Sequence, residues 1–272
     1  KGIGKATLAY HLINYFFSLN EEYSYDINLK KININNKYFQ LVNSNSHPNF
    51  YLIDLLEEKK NIEISQIRKM IDYSNKSSFN GKHKFILIDN VENLNLNSLN
   101  ALLKIIEEPN EKLFFILIHN NSKKIIKTIR SRCIIFKKNF SYDENLSIAN
   151  DIANVNLKDF FNETIINHYL TIGDLLQLYN FSINNKLDIK KLSLKDLLLY
   201  LINFKIYKNN NDLTNLTFKL LESYFYYSFL NNKNSNIYKL YEYFIKKIDY
   251  TNKFNLDIES LFLEFKNKVT NE

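Results

Sequence analysis

Near its start the chain reads Gly2-Ile3-Gly4-Lys5, followed by Ala6 and Thr7. A phosphate-binding loop, G-x-x-x-x-G-K-[ST], cradles phosphates with backbone N–H groups, reaches the terminal ones with Lys and holds magnesium with the hydroxyl. Gly4 and Lys5 fit that pattern, and its first Gly would lie before Lys1. Ala6 stands in the hydroxyl position, while Thr7 comes one residue late, about 100° away around a helix. A second candidate is Asp89, which closes the run KFILID where P-loop ATPases place a magnesium-binding carboxylate. The next residue, where an acid commonly activates water, is Asn90. An amide takes no proton, so hydrolysis should lose about the 10²–10⁴-fold that general acid–base catalysis contributes. Taken singly, Gly-x-Gly-Lys reads as an ordinary turn and a strand-end Asp as a cap. Their joint appearance in this order favours a nucleotide site of Gly2, Gly4, Lys5, Thr7 and Asp89, degenerate in its metal ligand and its base.

Such a loop must open a helix, and Leu8, Ala9, Leu12, Ile13, Phe16 and Phe17 recur as one helical face directly after it. It also needs a preceding strand; none precedes it and the chain begins on Lys1, so the sequence reads as missing its N-terminus. KYFQLV, KFILID and LFFILI are short runs rich in aromatic and branched residues, as expected of buried parallel strands. Between them Ile64 to Tyr73 and Leu96 to Glu108 read as amphipathic helices, the second stopped by Pro109. The alternation predicts an α/β core. Tyr142 to Leu178 reads as short helical stretches with a break at Gly173, and from Leu192 onward the periodicity is helical, with connections around Asn209 and Asn231.

With 272 residues the chain should fold as two or more units. Lys and Arg number 36 against 29 Asp and Glu, a net charge of +7 that suits a phosphate-bearing partner, although a bias towards Lys, Asn, Ile, Tyr and Phe accounts for much of it. The lone Cys133 excludes an internal disulfide and a cysteine-built zinc site, and five scattered His residues do not substitute. No apolar run reaches the roughly 20 residues that span a bilayer and no leader is present, which predicts a cytoplasmic protein without a membrane partner.

GIGKATLAY, HPNF at His47 to Phe50, SQIRKM at Ser65 to Met70, KFILIDNVENL, LNALLKIIEEP at Leu99 to Pro109 and TIRSRC at Thr128 to Cys133 follow one another in an order that resembles the bacterial clamp-loader subunits of the AAA+ class, above all the delta-prime subunits of DNA polymerase III. LNALLKIIEEP followed by SRC is the specific part. The resemblance implies a P-loop AAA+ core with a parallel sheet over 1–139, a small helical lid over 140–185 and an all-α collar over 186–272. It implies that Arg132, next to Ser131 in the SRC motif, is an arginine finger acting in trans on ATP bound by a neighbouring subunit. A planar, permanently charged guanidinium suits developing phosphate charge; outside the family context, a pair with a carboxylate on its own surface is the preferred reading of Arg132.

Relatives that hydrolyse ATP have Ser or Thr at Ala6, Glu at Asn90 and an Arg in a Gly-Ser-Leu-Arg stretch that here reads Gly173, Asp174, Leu175, Leu176. These departures favour a delta-prime-like subunit with no intrinsic ATPase, a component of the polymerase holoenzyme that requires no cofactor and at most retains ATP or ADP without efficient magnesium-dependent hydrolysis. The implied partners are the motor subunits and the clamp-opening subunit, with the sliding clamp and primer-template DNA met through the complex. Two alternatives stand beside it: an ATP-hydrolysing motor subunit, and a DNA-binding scaffold with a dead P-loop. Many relatives carry a four-cysteine zinc module, but Leu19 to Ser46 has no Cys and should form a hairpin or loop. No metal is expected, and His47 before Pro48 reads as structural. Lys123, Lys124, Lys127 and Arg130 around the finger, and Gln66, Arg68 and Lys69, are weak candidates for backbone contacts with DNA.

Overall fold

The computed structural model describes residues 2–56, 59, 61–120, 126–166, 170–232 and 235–270. They fall into two compact units, Gly4–Lys138 and Asn139–Glu272, the latter including Lys1–Ile3.

In the first unit Gly4, in the left-handed region at φ 78°, turns the chain into helix α1 (Lys5–Ser18). The face α1 buries is narrower than its apolar pattern suggests: Ala9, Ile13 and Phe17 are covered, while Leu8 and Leu12 are exposed. KYFQLV is not a strand. Asn36 accepts hydrogen bonds from the amides of Tyr38 and Phe39 and so caps a helix, α2 (Lys37–Asn43), which buries Val42. Local capping outweighs the β propensity of Tyr, Phe and Val here. The expected loop over Leu19 to Ser46 therefore contains a helix, preceded by an isolated antiparallel bridge between Asp26 and Lys31.

The strand that takes the place of KYFQLV is β1 (Phe50–Ile53), directly after the His47-Pro48 turn. It pairs in parallel with β2 (Lys84–Ile88), with Phe50 opposite Phe85 and Ile53 opposite Ile88; β2 pairs in parallel with β3 (Leu113–Leu117), with Phe85 opposite Phe114. The order β1-β2-β3 puts β2 in the centre, where every residue is buried. Its alternation feeds two cores: Phe85 and Leu87 join Ile13, Phe17 and Val42, whereas Ile86 and Ile88 join helix α3 (Ile64–Ser74) and helix α4 (Leu96–Glu107) through Ile67, Met70 and Leu102. Both helices fall where the periodicity predicts them. Buried Lys84 opens β2 and donates to the carbonyls of Tyr73 and Lys76, each at 2.7 Å, placing its charge on the C-terminal end of α3. A short helix, α5 (Lys127–Arg130), closes this unit.

The second unit is helical: α6 (Tyr142–Ala153), α7 (Ile172–Asn185), α8 (Leu194–Asn203), α9 (Asn211–Asn232), α10 (Ser235–Phe254) and α11 (Ile258–Thr270). One hydrophobic core, from Leu146 to Val269, runs through both the 140–185 and the 186–272 segments. Gly173 does not break a helix; it lies in the first turn of α7, behind a capping box of Thr171 and Asp174. The connections expected around Asn209 and Asn231 fall at the two ends of α9, which Leu216, Leu220, Leu221 and Phe225 anchor in the core. No helix among the described residues is long and apolar enough to cross a membrane.

Candidate functional site

Parallel strands bring their carboxyl ends to one edge of the sheet, and each of the three ends here in polar residues: Asp54 after β1, Asp89 and Asn90 after β2, and Asn120 after β3. Asp89 extends the ladder by donating its amide to the carbonyl of Ile53 at 2.9 Å. Asn90 sits in the left-handed region at φ 58°, which Asn tolerates better than most residues. Its side-chain nitrogen donates to Asp54 Oδ1 at 2.7 Å, its side-chain oxygen accepts from Asn120 Nδ2 at 2.8 Å, and its backbone N–H donates to Asp89 Oδ1 at 2.7 Å. A carboxylate only accepts, so the bond to Asp54 fixes which way the Asn90 amide faces. The Asn120 backbone N–H donates to Glu92 Oε2 at 3.1 Å. A carboxylate in place of the Asn90 amide would face Asp54 with no proton to give.

Burial pushes the Asp89 carboxyl above its ordinary value, and Asp54 and Glu92 add to the rise; the Asn90 N–H and the charge of Lys5 oppose it. The Tyr10 hydroxyl, on α1, is raised by burial and by the carboxylates of Asp54 and Asp89. The N-terminal turn of α1 thus stands within electrostatic range of the strand ends. Gly4 needs to be glycine for its positive φ alone, since an added Cβ would meet no atom within 4 Å. Half-buried Ala6 packs on the core beneath α1 and offers no hydroxyl. Exposed Thr7 lines a different hollow, with His11, Phe39 and Asn43. Gly2 packs within the helical unit: Gly173 donates its amide to the Gly2 carbonyl at 2.9 Å, and a Cβ at Gly173 would lie 2.9 Å from the Gly2 Cα. Lys5, Asp54, Asp89, Asn90 and Asn120 therefore form one grouping, in which the Lys5 charge opposes the rise of the Asp89 carboxyl. It has neither the hydroxyl that would hold magnesium nor a base beside Asp89 that would activate water.

Arg132 lies just past α5, which is fastened by buried Ile129 to Leu99 of α4 and to Val91 in the turn after Asn90. The Arg132 Nη2 pairs with Glu107 Oε1 at 2.5 Å, and Nη1 donates to the Thr128 carbonyl at 2.9 Å and to Ser131 Oγ at 3.3 Å. Ser131 itself donates to the Thr128 carbonyl at 3.0 Å. The Arg132 side chain keeps 35% of its surface exposed. The pair with a carboxylate on its own surface, preferred in the absence of family context, is present.

Lys127 and Arg130 are exposed, whereas Lys123 and Lys124 lie outside the described residues. Gln66 does not project as a contact residue: it accepts from the Glu63 amide and donates to the Asp54 carbonyl, capping α3. His47 is buried, stacked on Phe17 with ring centres 3.9 Å apart, and accepts from the Asn49 amide at 3.0 Å. Burial, helped by Lys82, lowers it to about 4 and keeps it neutral. Asp54 and Asn120 escape a motif search; their signal is a polar residue placed directly, or one step, after an apolar run.

A family model for the DNA polymerase III delta subunit matches residues 1–140. The delta-prime subunit of DNA polymerase III from Pseudomonas aeruginosa is 32% identical over 98 residues, covering 36% of this chain and 30% of its own length. That from Buchnera aphidicola subsp. Baizongia pistaciae is 37% identical over 101 residues, covering 35% and 30%. The gamma subunit from Buchnera aphidicola subsp. Schizaphis graminum is 40% identical over 84 residues, covering 31% and 23%. The chain thus matches less than a third of the length of these relatives.

Proposed function

The chain belongs to the DNA polymerase III delta subunit family, and from that premise we propose that it is a delta-prime-like clamp-loader subunit that hydrolyses no ATP itself and lends Arg132 to the ATP site of a neighbouring subunit. The observation that carries this reading is Asn90, held between Asp54 and Asn120 where an ATPase needs a free carboxylate. With Ala6 in the hydroxyl position, the chain's own site lacks the hydroxyl that would help hold magnesium, and Asn90 leaves it without the base that follows Asp89 in ATPases. It requires no cofactor, and Gly4 and Lys5 retain at most a bound ATP or ADP.

Arg132 contributes charge without proton transfer. Its exposed pair with Glu107 is worth about 0–1 kcal/mol, so little of the guanidinium's charge is committed to the chain's own surface. The guanidinium then meets the charge that develops on the transferred phosphoryl group, an effect worth about 10³–10⁵-fold. The partners are the ATP-binding and clamp-opening subunits of the loader, and the sliding clamp and primer-template DNA are reached through that complex in the cytoplasm.

The test is ATP turnover by a reconstituted loader containing this chain, with Arg132 intact or changed to Ala, beside the chain alone. An inactive lone chain and a slowed, fully assembled Arg132→Ala loader support the reading; unchanged turnover in the assembled variant overturns it. The 40% identity to a gamma subunit favours a second reading, a motor subunit. Turnover by the lone chain that disappears in Lys5→Ala would establish that one instead.

A further inference from the structure

Arg132 is aimed by two elements. Its own helix supplies the Thr128 carbonyl and the Ser131 hydroxyl, and α4 supplies the Glu107 carboxylate. The two helices are fastened to each other by Leu99 and Ile129, both buried, so core packing sets the separation of Glu107 and Arg132. Glu107 is also the last residue of α4, where a carboxylate faces the negative end of the helix and is locally unfavourable. Its pairing with a cation offsets that penalty. A guanidinium has five N–H donors. Three are engaged here, two on Nη1 and one on Nη2, and the engaged set leaves Nε–H and the second Nη2–H to address a phosphate oxygen while the first three stay in place.

Resting on the reading of Arg132 as a trans-acting finger, we propose that Glu107 is its positioning residue: it holds the guanidinium from one side and leaves the opposite donors directed at the neighbouring subunit's nucleotide. A long exposed arginine otherwise samples many rotamers, and a catalytic group misplaced by about 1 Å can cost roughly 100-fold in rate.

Four reconstituted loaders decide it, carrying Glu107→Ala, Glu107→Gln, Arg132→Ala or the Glu107→Ala and Arg132→Ala pair, each compared with the unaltered complex for kcat and KM towards ATP. Glu107→Ala is expected to lower kcat about tenfold with KM changed less than about twofold, because orientation rather than binding is lost. Glu107→Gln keeps one acceptor and recovers part of the loss. The double variant is no slower than Arg132→Ala alone, as for two residues that act as one unit. Three results overturn the proposal: an unchanged or raised kcat in Glu107→Ala; a Glu107→Ala defect of the same size in the Arg132→Ala background, which would mark general damage; and an unaffected Arg132→Ala loader, which removes the finger reading as well. A slowed Arg132→Ala loader beside an unaffected Glu107→Ala loader removes the Glu107 assignment alone.

Discussion

At the strand ends Asn90 commits its side-chain amide to Asp54 and Asn120, and the Asp89 carboxylate takes the next backbone N–H; at the Arg132 corner of the same unit a guanidinium directly holds one carboxylate at the surface. The two regions are joined through Val91, Leu99 and Ile129, so they share a scaffold and differ in how tightly their polar groups are bound. Breaking the strand-end network removes three mutually dependent hydrogen bonds among half-buried and exposed groups, each worth about 0.5–1.5 kcal/mol, whereas the exposed ion pair is worth about 0–1 kcal/mol. A bridging amide such as that of Asn90 is suited to holding structure. The corner is suited to chemistry supplied by someone else.

The sharpest test of that contrast is Arg132→Ala: about 10³-fold or more in turnover of the assembled loader, against no more than about 1 kcal/mol in urea unfolding of the isolated chain. Next comes the acid response of the interior. His47 has a folded value of about 4 against an ordinary 6.5, so its stabilisation is complete above pH 6.5 and is lost as the pH falls towards 4, when the unfolded chain takes the proton first. The difference is worth up to about 3 kcal/mol, and His47→Phe, which preserves the stack on Phe17, should flatten the slope of unfolding midpoint against pH over that range.

Asn90→Asp keeps a residue that tolerates positive φ and replaces the amide donor with a second carboxylate facing Asp54. It should cost about 0.5–1.5 kcal/mol at neutral pH and less on acidification as the carboxylates protonate; an unchanged unfolding midpoint would mean the network is as loose as the corner. The smallest effect belongs to Asp89→Asn. A carboxyl raised by burial detracts from stability above its folded value, and the penalty is relieved as pH falls towards the ordinary 3.8, so neutralising it should raise Tm at neutral pH by no more than about 2 °C, with the gain vanishing in acid. A fall in Tm at neutral pH would make Asp89 an essential ion-pair partner.

Much of this unit was legible because its signals are local. KFILI and LFFIL are too apolar and too short for anything but buried strands, and α3 and α4 carry their own periodicity, caps and, for α4, a stop at Pro109. KYFQLV misled because its composition is that of a strand while one side chain outside it, Asn36, satisfies the amides of a helix. FYLI gives little signal of a strand because four residues carry almost no periodicity. In the helical unit, Gly173 reads as a breaker on its own, yet Thr171 and Asp174 cap the helix around it and Lys219 holds Asp174 from 45 residues away.

By itself, then, the order of residues determined the chemistry that is missing: Ala6 has no hydroxyl and Asn90 no carboxyl in any fold, and a guanidinium at Arg132 is charged wherever it lies. Tertiary structure alone decided what those groups do instead. Asp54, Asn90 and Asn120 follow three different strands and meet only because parallel pairing aligns the strands' carboxyl ends; Glu107 and Arg132 meet only because Leu99 and Ile129 are buried together. Residue type fixes which bonds a group can make, and packing over long sequence separations fixes which partner is within reach.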